Sequence, residues 1–127
     1  MGISDPFTVG WDGIKEPLIA AMNHGGLVAA DVGKVCNVTN EMTMSVGGNG
    51  DEIQGQIASI DSDKIGGMKI DGVFEFEYSG ADPGYGRRIL SSDASGKVKV
   101  NTAGTLVIVI SQDTTKKLVR FIKGEKV

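Results

Sequence analysis

From Met68 onward the apolar residues fall on every second position. Met68, Ile70, Gly72, Phe74, Phe76 and Tyr78 share one parity, while Lys69, Asp71, Val73, Glu75 and Glu77 hold the other. A two-residue period with one apolar and one largely charged face marks a half-buried β-strand, so one long strand is expected over 68–78. Further candidate strands cover 35–38, 42–46, 53–60, 88–90, 97–100, 106–110 and 118–122. Short strands at regular spacing with glycine punctuation predict an all-β fold, a small β-barrel or β-sandwich. Residues 106–110 read Leu-Val-Ile-Val-Ile between Gly104 and Ser111, and are the best candidate for a central strand. The intervening stretches carry turn chemistry, notably Gly47-Gly48-Asn49-Gly50, Gly66-Gly67 and Ala81-Asp82-Pro83-Gly84.

The first 26 residues break this pattern. They hold Pro6, Pro17 and the single tryptophan, Trp11, and end at Gly25-Gly26. A helical turn or two over 15–22 is expected, starting near Pro17. The chain therefore divides into an extended, partly irregular N-terminal arm, 1–26, and a β-rich core domain, 27–127. Such an arm either docks on a neighbouring protein through Phe7 and Trp11 as anchors or folds back to cap its own barrel.

Composition narrows the function classes. Nineteen glycines in 127 residues are about twice the usual share and belong in turns and bulges, since glycine destabilises a helix interior. A net charge of −3 argues against a nucleic-acid partner, because neutralising phosphates takes a basic surface. Cys36 is alone, so no disulfide within the chain is expected, and its flanks Val35 and Val38 predict a buried thiol in a strand. The start lacks a basic segment followed by a sustained apolar run, so neither a secretory leader nor a membrane span is expected. The Asn37-Val38-Thr39 sequon matters only in a secretory pathway.

The polar residues form no catalytic pattern. His24 is the only histidine and sits beside two glycines, and no Gly-x-Ser-x-Gly elbow occurs. Asp61 and Asp63 resemble the start of a calcium loop, but Ile65 stands where an oxygen ligand is required and Gly72 where the closing glutamate belongs. An exposed turn is the expectation there. One cysteine and one histidine are too few for a structural zinc site. The pairs Gly48/Gly50 and Gly84/Gly86 lack the third glycine of a dinucleotide fingerprint. Glu75 and Glu77 share the charged face of one strand, with no sign of burial that would separate their proton affinities. Tyr85, Arg87 and Arg88 combine residue types favoured at protein interfaces and are contact candidates alongside Phe7 and Trp11. No enzyme activity, cofactor or metal is expected.

From Gly26 onward the order of elements resembles the head decoration, or cement, proteins of tailed bacteriophages. The resemblance rests on Gly26-Leu27-Val28, Gly33-Lys34-Val35, residues 51–60, Ile70-Asp71-Gly72-Val73, Tyr78-Ser79-Gly80-Ala81, Gly86 and the hairpin at 93–98, ending in an apolar strand. It covers about three-quarters of the chain and implies a non-enzymatic virion protein. Such a protein is made in the bacterial cytoplasm and binds the outer surface of the expanded capsid. The implied partners are the major capsid protein and further copies of the chain, a trimer being favoured, with no nucleic acid and no membrane. Two alternatives stay open: a tail or head-tail connector component of similar β architecture, and a small ligand- or carbohydrate-binding barrel.

Overall fold

The structure is a computed structural model and describes residues 18–126. In chain order the strands are β1 (Leu18–His24), β2 (Val35–Asn40), β3 (Thr43–Val46), β4 (Gly55–Ile60), β5 (Ile65–Asp71), β6 (Val73–Glu77), β7 (Gly86–Ser92), β8 (Val98–Val100), β9 (Thr105–Asp113) and β10 (Leu118–Lys126). A short 3-10 turn, Ala29–Asp31, precedes β2. Strands β1 to β5 close a barrel in the order β1-β3-β2-β4-β5, and the other five form an antiparallel sheet in the order β6-β10-β9-β7-β8. The all-β class is realised as a barrel joined to a second sheet.

Two sequence expectations change here. Residues 18–24, assigned to the arm and partly to a helix, are a barrel strand, while residues 1–17 lie outside the described residues. Leu18, Ala20, Ala21 and Met22 favour a helix, but in a chain of this length tertiary pairing overrides local preference. Residues 18–23 pair along β5, with Ala21 opposite Gly67 and Met22 opposite Gly66. The second change concerns 68–78, which is two strands rather than one. Gly72, at φ +109°, turns the chain between β5 and β6, which belong to the barrel and the second sheet respectively. The alternation survives the break but serves two cores, Met68 in the barrel and Phe74, Phe76 and Tyr78 in the sheet.

The barrel interior is filled by Met22, Cys36, Met44, Ile57 and Met68. Its tight radius depends on glycines at which neighbouring backbone closes in. A Cβ on Gly66 would lie 2.5 Å from the Ser59 carbonyl oxygen, and one on Gly55 would lie 2.4 Å from that of Lys69. The second core stacks Phe74, Phe76 and Phe121, with ring centroids 5.6 to 6.0 Å apart, among valines of β8, β9 and β10. Strand β2 ties the two together, since Val35 faces the second core and the next residue, Cys36, faces the barrel.

The edges of the second sheet are covered. A parallel bridge between Tyr78 and Val98, with Ser79 N donating to Val98 O at 2.9 Å, brings the end of β6 to β8. On β6, the Glu75 carbonyl accepts from Gln56 Nε2 at 2.6 Å and the Val73 carbonyl accepts from Lys69 Nζ. Occupied edge carbonyls discourage addition of a further strand, so the surface this sheet offers is its face.

Candidate functional site: the outer face of the second sheet

Strands β9 and β10 alternate between the two faces of the sheet. Val107, Val109, Val119 and Phe121 point into the core, while Ile108, Ile110 and Ile122 point outward and remain 46%, 49% and 47% exposed. Register joins Ile122 and Ile108 into a row: Val73 pairs with Ile122, Ile122 with Ile108, and Ile108 with Arg87, while Ile110 lies at the β-bulge where the β9–β10 register shifts. The central strand expected at 106–110 is indeed the middle strand of five. Its uninterrupted apolar run implies burial on both faces, yet its outward members are only half covered. A contiguous exposed aliphatic patch on a sheet face is the mark of an interaction surface.

The row borders a concave stretch of the same face. Two hollows, each of about 560 Å³, share Glu75, Leu118 and Arg120 as lining residues. One is also lined by Val32 and Lys34, from the connection before β2, and by Gln56 of β4 and Lys69 of β5. Between the hollows Arg120 Nε donates to Glu75 Oε1 at 3.1 Å, and further along β6 Lys97 pairs with Glu77 at 3.5 Å. Glu75 and Glu77 thus occupy the solvent side of β6 as expected, and both are neutralised by cations in place. The face is an aliphatic row beside a charge-balanced trough.

The contact candidates from sequence separate in three dimensions. Phe7 and Trp11 lie outside the described residues. Tyr85 stands 59% exposed between Gly84 and Gly86, whose φ of +79° and +78° are accessible to glycine at little cost. Arg87 lies in the row beside Ile108, whereas Arg88 pairs with the inward Val107 and so lies on the opposite parity. Its guanidinium turns back to donate to the Pro83 carbonyl from Nε and to the Arg87 carbonyl from Nη1, both at 2.8 Å. Arg88 therefore closes its own loop, and the tandem pair supplies one outward cation.

That loop is anchored at its other end. Tyr78 donates its hydroxyl to Asp82 at 2.6 Å, with Lys117 Nζ 3.8 Å from the same carboxylate and 5.2 Å above the tyrosine ring. The hydrogen bond to Asp82, then burial, push the phenol up to about 12. Gly84 N donates to Gln112 Oε1 at 3.1 Å, fixing the loop to β9.

The groups considered for catalysis serve the fold. His24 is buried, with Nε2 2.9 Å from the Ser62 carbonyl oxygen and Nδ1 receiving the backbone N–H of Leu27 at 3.1 Å. A neutral ring carrying its proton on Nε2 satisfies both contacts. His24 thus ties the end of β1 to the turn before β5. Cys36 is the buried strand thiol expected, and burial raises it to about 12, far from the thiolate that nucleophilic chemistry needs. Asp61 and Asp63 sit in an exposed turn, closed by the N–H groups of Asp61 and Ser62 donating to the Ile65 carbonyl at 2.9 and 3.0 Å. Among the described residues no three His, Cys, Asp or Glu side chains are grouped to hold a metal ion.

The residues that form the face, Ile108, Ile110 and Ile122 with Leu118 and Arg120, were not among the sequence candidates. A signal was present: a run of apolar residues on both parities of β9, next to a β10 whose outward positions read Leu118, Arg120, Ile122. No family model matches the chain, and no curated protein matches it in sequence.

Proposed function

We propose that the chain is a non-enzymatic virion structural protein that binds the outer surface of the expanded phage capsid and stabilises it. The observation that carries this reading is the outer sheet face, where three half-exposed isoleucines and Arg87 lie on a scaffold with two packed cores. A shell protein works by many modest contacts repeated over a lattice, which act together through avidity. An aliphatic row rimmed by a cation suits that task, and the family resemblance of the sequence points the same way. The major capsid protein is the proposed partner, with copies of the chain grouped as oligomers, a trimer favoured, on the capsid exterior.

The alternative of a ligand-binding barrel is less well supported. Five side chains fill the barrel interior, and Phe74, Phe76 and Tyr78 are buried in the second core, so none offers a stacking platform for a sugar. The proposal is tested by sedimenting the protein with capsid shells prepared without it, comparing wild type with Ile110→Lys. Pelleting of the wild type and its loss in the variant is the expected result. Equal pelleting of both would separate the face from the binding.

A further inference from the structure

We propose that the trough between the barrel and the second sheet binds an extended segment of a partner protein that carries a single carboxylate side chain flanked by aliphatic residues, with Lys69 pairing with the carboxylate. The trough borders the aliphatic row without including Ile108 or Ile122, and binding there needs no shell, so this reading and the capsid reading can fail independently.

The charges lining the trough leave one cation over. Lys34 pairs with Asp31 at 2.9 Å, Lys97 with Glu77 at 3.5 Å and Arg120 with Glu75 at 3.1 Å. Lys69, half-buried on the barrel side, meets no carboxylate among the described residues. Its ammonium donates to the Val73 carbonyl and lies 5.1 Å from the centroid of the Phe74 ring. An ammonium has three protons to donate, so two remain for a ligand. A half-buried charge gains more than an exposed one from an opposite charge brought against it, because water and salt screen the pair less.

Gln56 supplies the complementary group. It is the register partner of Lys69, and its Nε2 is committed to the Gly33 carbonyl at 3.0 Å and the Glu75 carbonyl at 2.6 Å. Its Oε1 accepts no hydrogen bond from the described residues. Donor and acceptor thus stand side by side on strands about 5 Å apart, and a carboxylate and a backbone N–H of one peptide segment would satisfy both. Val32, Val73 and Leu118 line the same hollow, whose volume of about 560 Å³ suits a ligand of a few residues. Glu75 and Glu77 border it as well, so a run of phosphates would meet like charge. A single carboxylate between aliphatic side chains is the occupant that fits.

Amide NMR of the nitrogen-labelled full-length protein, titrated with acetyl-Ala-Leu-Glu-Leu-Ala-amide, tests the proposal. Expected are saturable shifts concentrated at Gly33, the Gln56 side-chain amide and residues 95–97. Lys69→Met should weaken binding about tenfold, the loss of one charge-assisted hydrogen bond. Lys69→Arg should keep it, and Lys64→Met, an exposed control outside the trough, should leave it unchanged. Replacing the peptide's glutamate by glutamine should weaken binding to the wild type by a similar factor, so the test survives a Lys69→Met variant whose spectrum shows that it fails to fold. No saturable shift, shifts centred away from the trough, equal affinity for the two peptides, or a folded Lys69→Met that binds as tightly as wild type overturns the proposal. Acetate or inorganic phosphate producing the same shifts at the same concentration also overturns it and assigns the site to free anions.

Discussion

Phe121 and Ile122 are neighbours on β10 whose truncations should differ sharply. Phe121 is fully buried and stacks with Phe76 at 5.6 Å and Phe74 at 6.0 Å, while Ile122 is 47% exposed on the outer face. Cutting a buried phenylalanine to alanine removes its transfer energy and leaves a cavity, a loss of about 3–5 kcal/mol. Fully burying an isoleucine is worth about 1.5–3 kcal/mol, so Ile122→Ala, at a site only about half buried, should cost about 1 kcal/mol. Against a total stability of about 5–15 kcal/mol, the first loss is large and the second minor. Urea unfolding followed by far-UV circular dichroism measures both, with the midpoint moving and the slope unchanged if the transition stays two-state. A strand slipped by one residue exchanges its two faces. Equal costs, or a larger cost for Ile122→Ala, would therefore refute the assignment of inner and outer faces and the candidate site with it.

Three other outcomes are expected. Gly66→Ala should destabilise the barrel by about 2 kcal/mol in the same urea experiment, because the added carbon meets the Ser59 carbonyl at 2.5 Å; a neutral effect would show that β4 and β5 have room to separate. Burial raises the Asp93 carboxyl, but hydrogen bonds from Ser79, Ser95 and Lys97 outweigh it and hold the group below the ordinary carboxylate range. A depressed folded-state value contributes stability above the unfolded value that is lost as pH falls through the folded one. The stability gap between wild type and Asp93→Ala should thus be constant near neutrality and shrink in the acid range below about pH 4, and a gap independent of pH would contradict this. Finally, deleting residues 1–17 should leave a cooperative unfolding transition, whereas deleting 1–22 removes most of β1 and should abolish it; a well-folded product of the longer deletion would place β1 outside the structural core.

The legible parts of the fold were those in which local pattern and burial agree. The Phe74, Phe76, Tyr78 parity, the central strand at 106–110 and the buried thiol of Cys36 all follow from alternation or β-branched runs, and each strand places them as the pattern requires. Failures came where one signal served two purposes. The alternation through Gly72 kept its phase although the chain passes from barrel to sheet there, because a period of two records parity and not which core a face meets. Leu18 to Met22 read as helix-prone because the glycines that accept them as a strand lie some 45 residues away on β5. The outer face went unseen because β-branched residues on both parities look alike whether the second face is buried by the chain itself or left for a partner. Arg87 and Arg88 were grouped by adjacency, the arrangement that a strand divides between its two faces.

Sedimentation of the purified protein with expanded and unexpanded tailed-phage capsid shells, both prepared without it, tests the proposed capsid role most directly. Saturable binding to expanded shells, at a fixed ratio to the major capsid protein and absent from unexpanded shells, is the predicted result. Failure to bind either form would contradict a role on the capsid exterior.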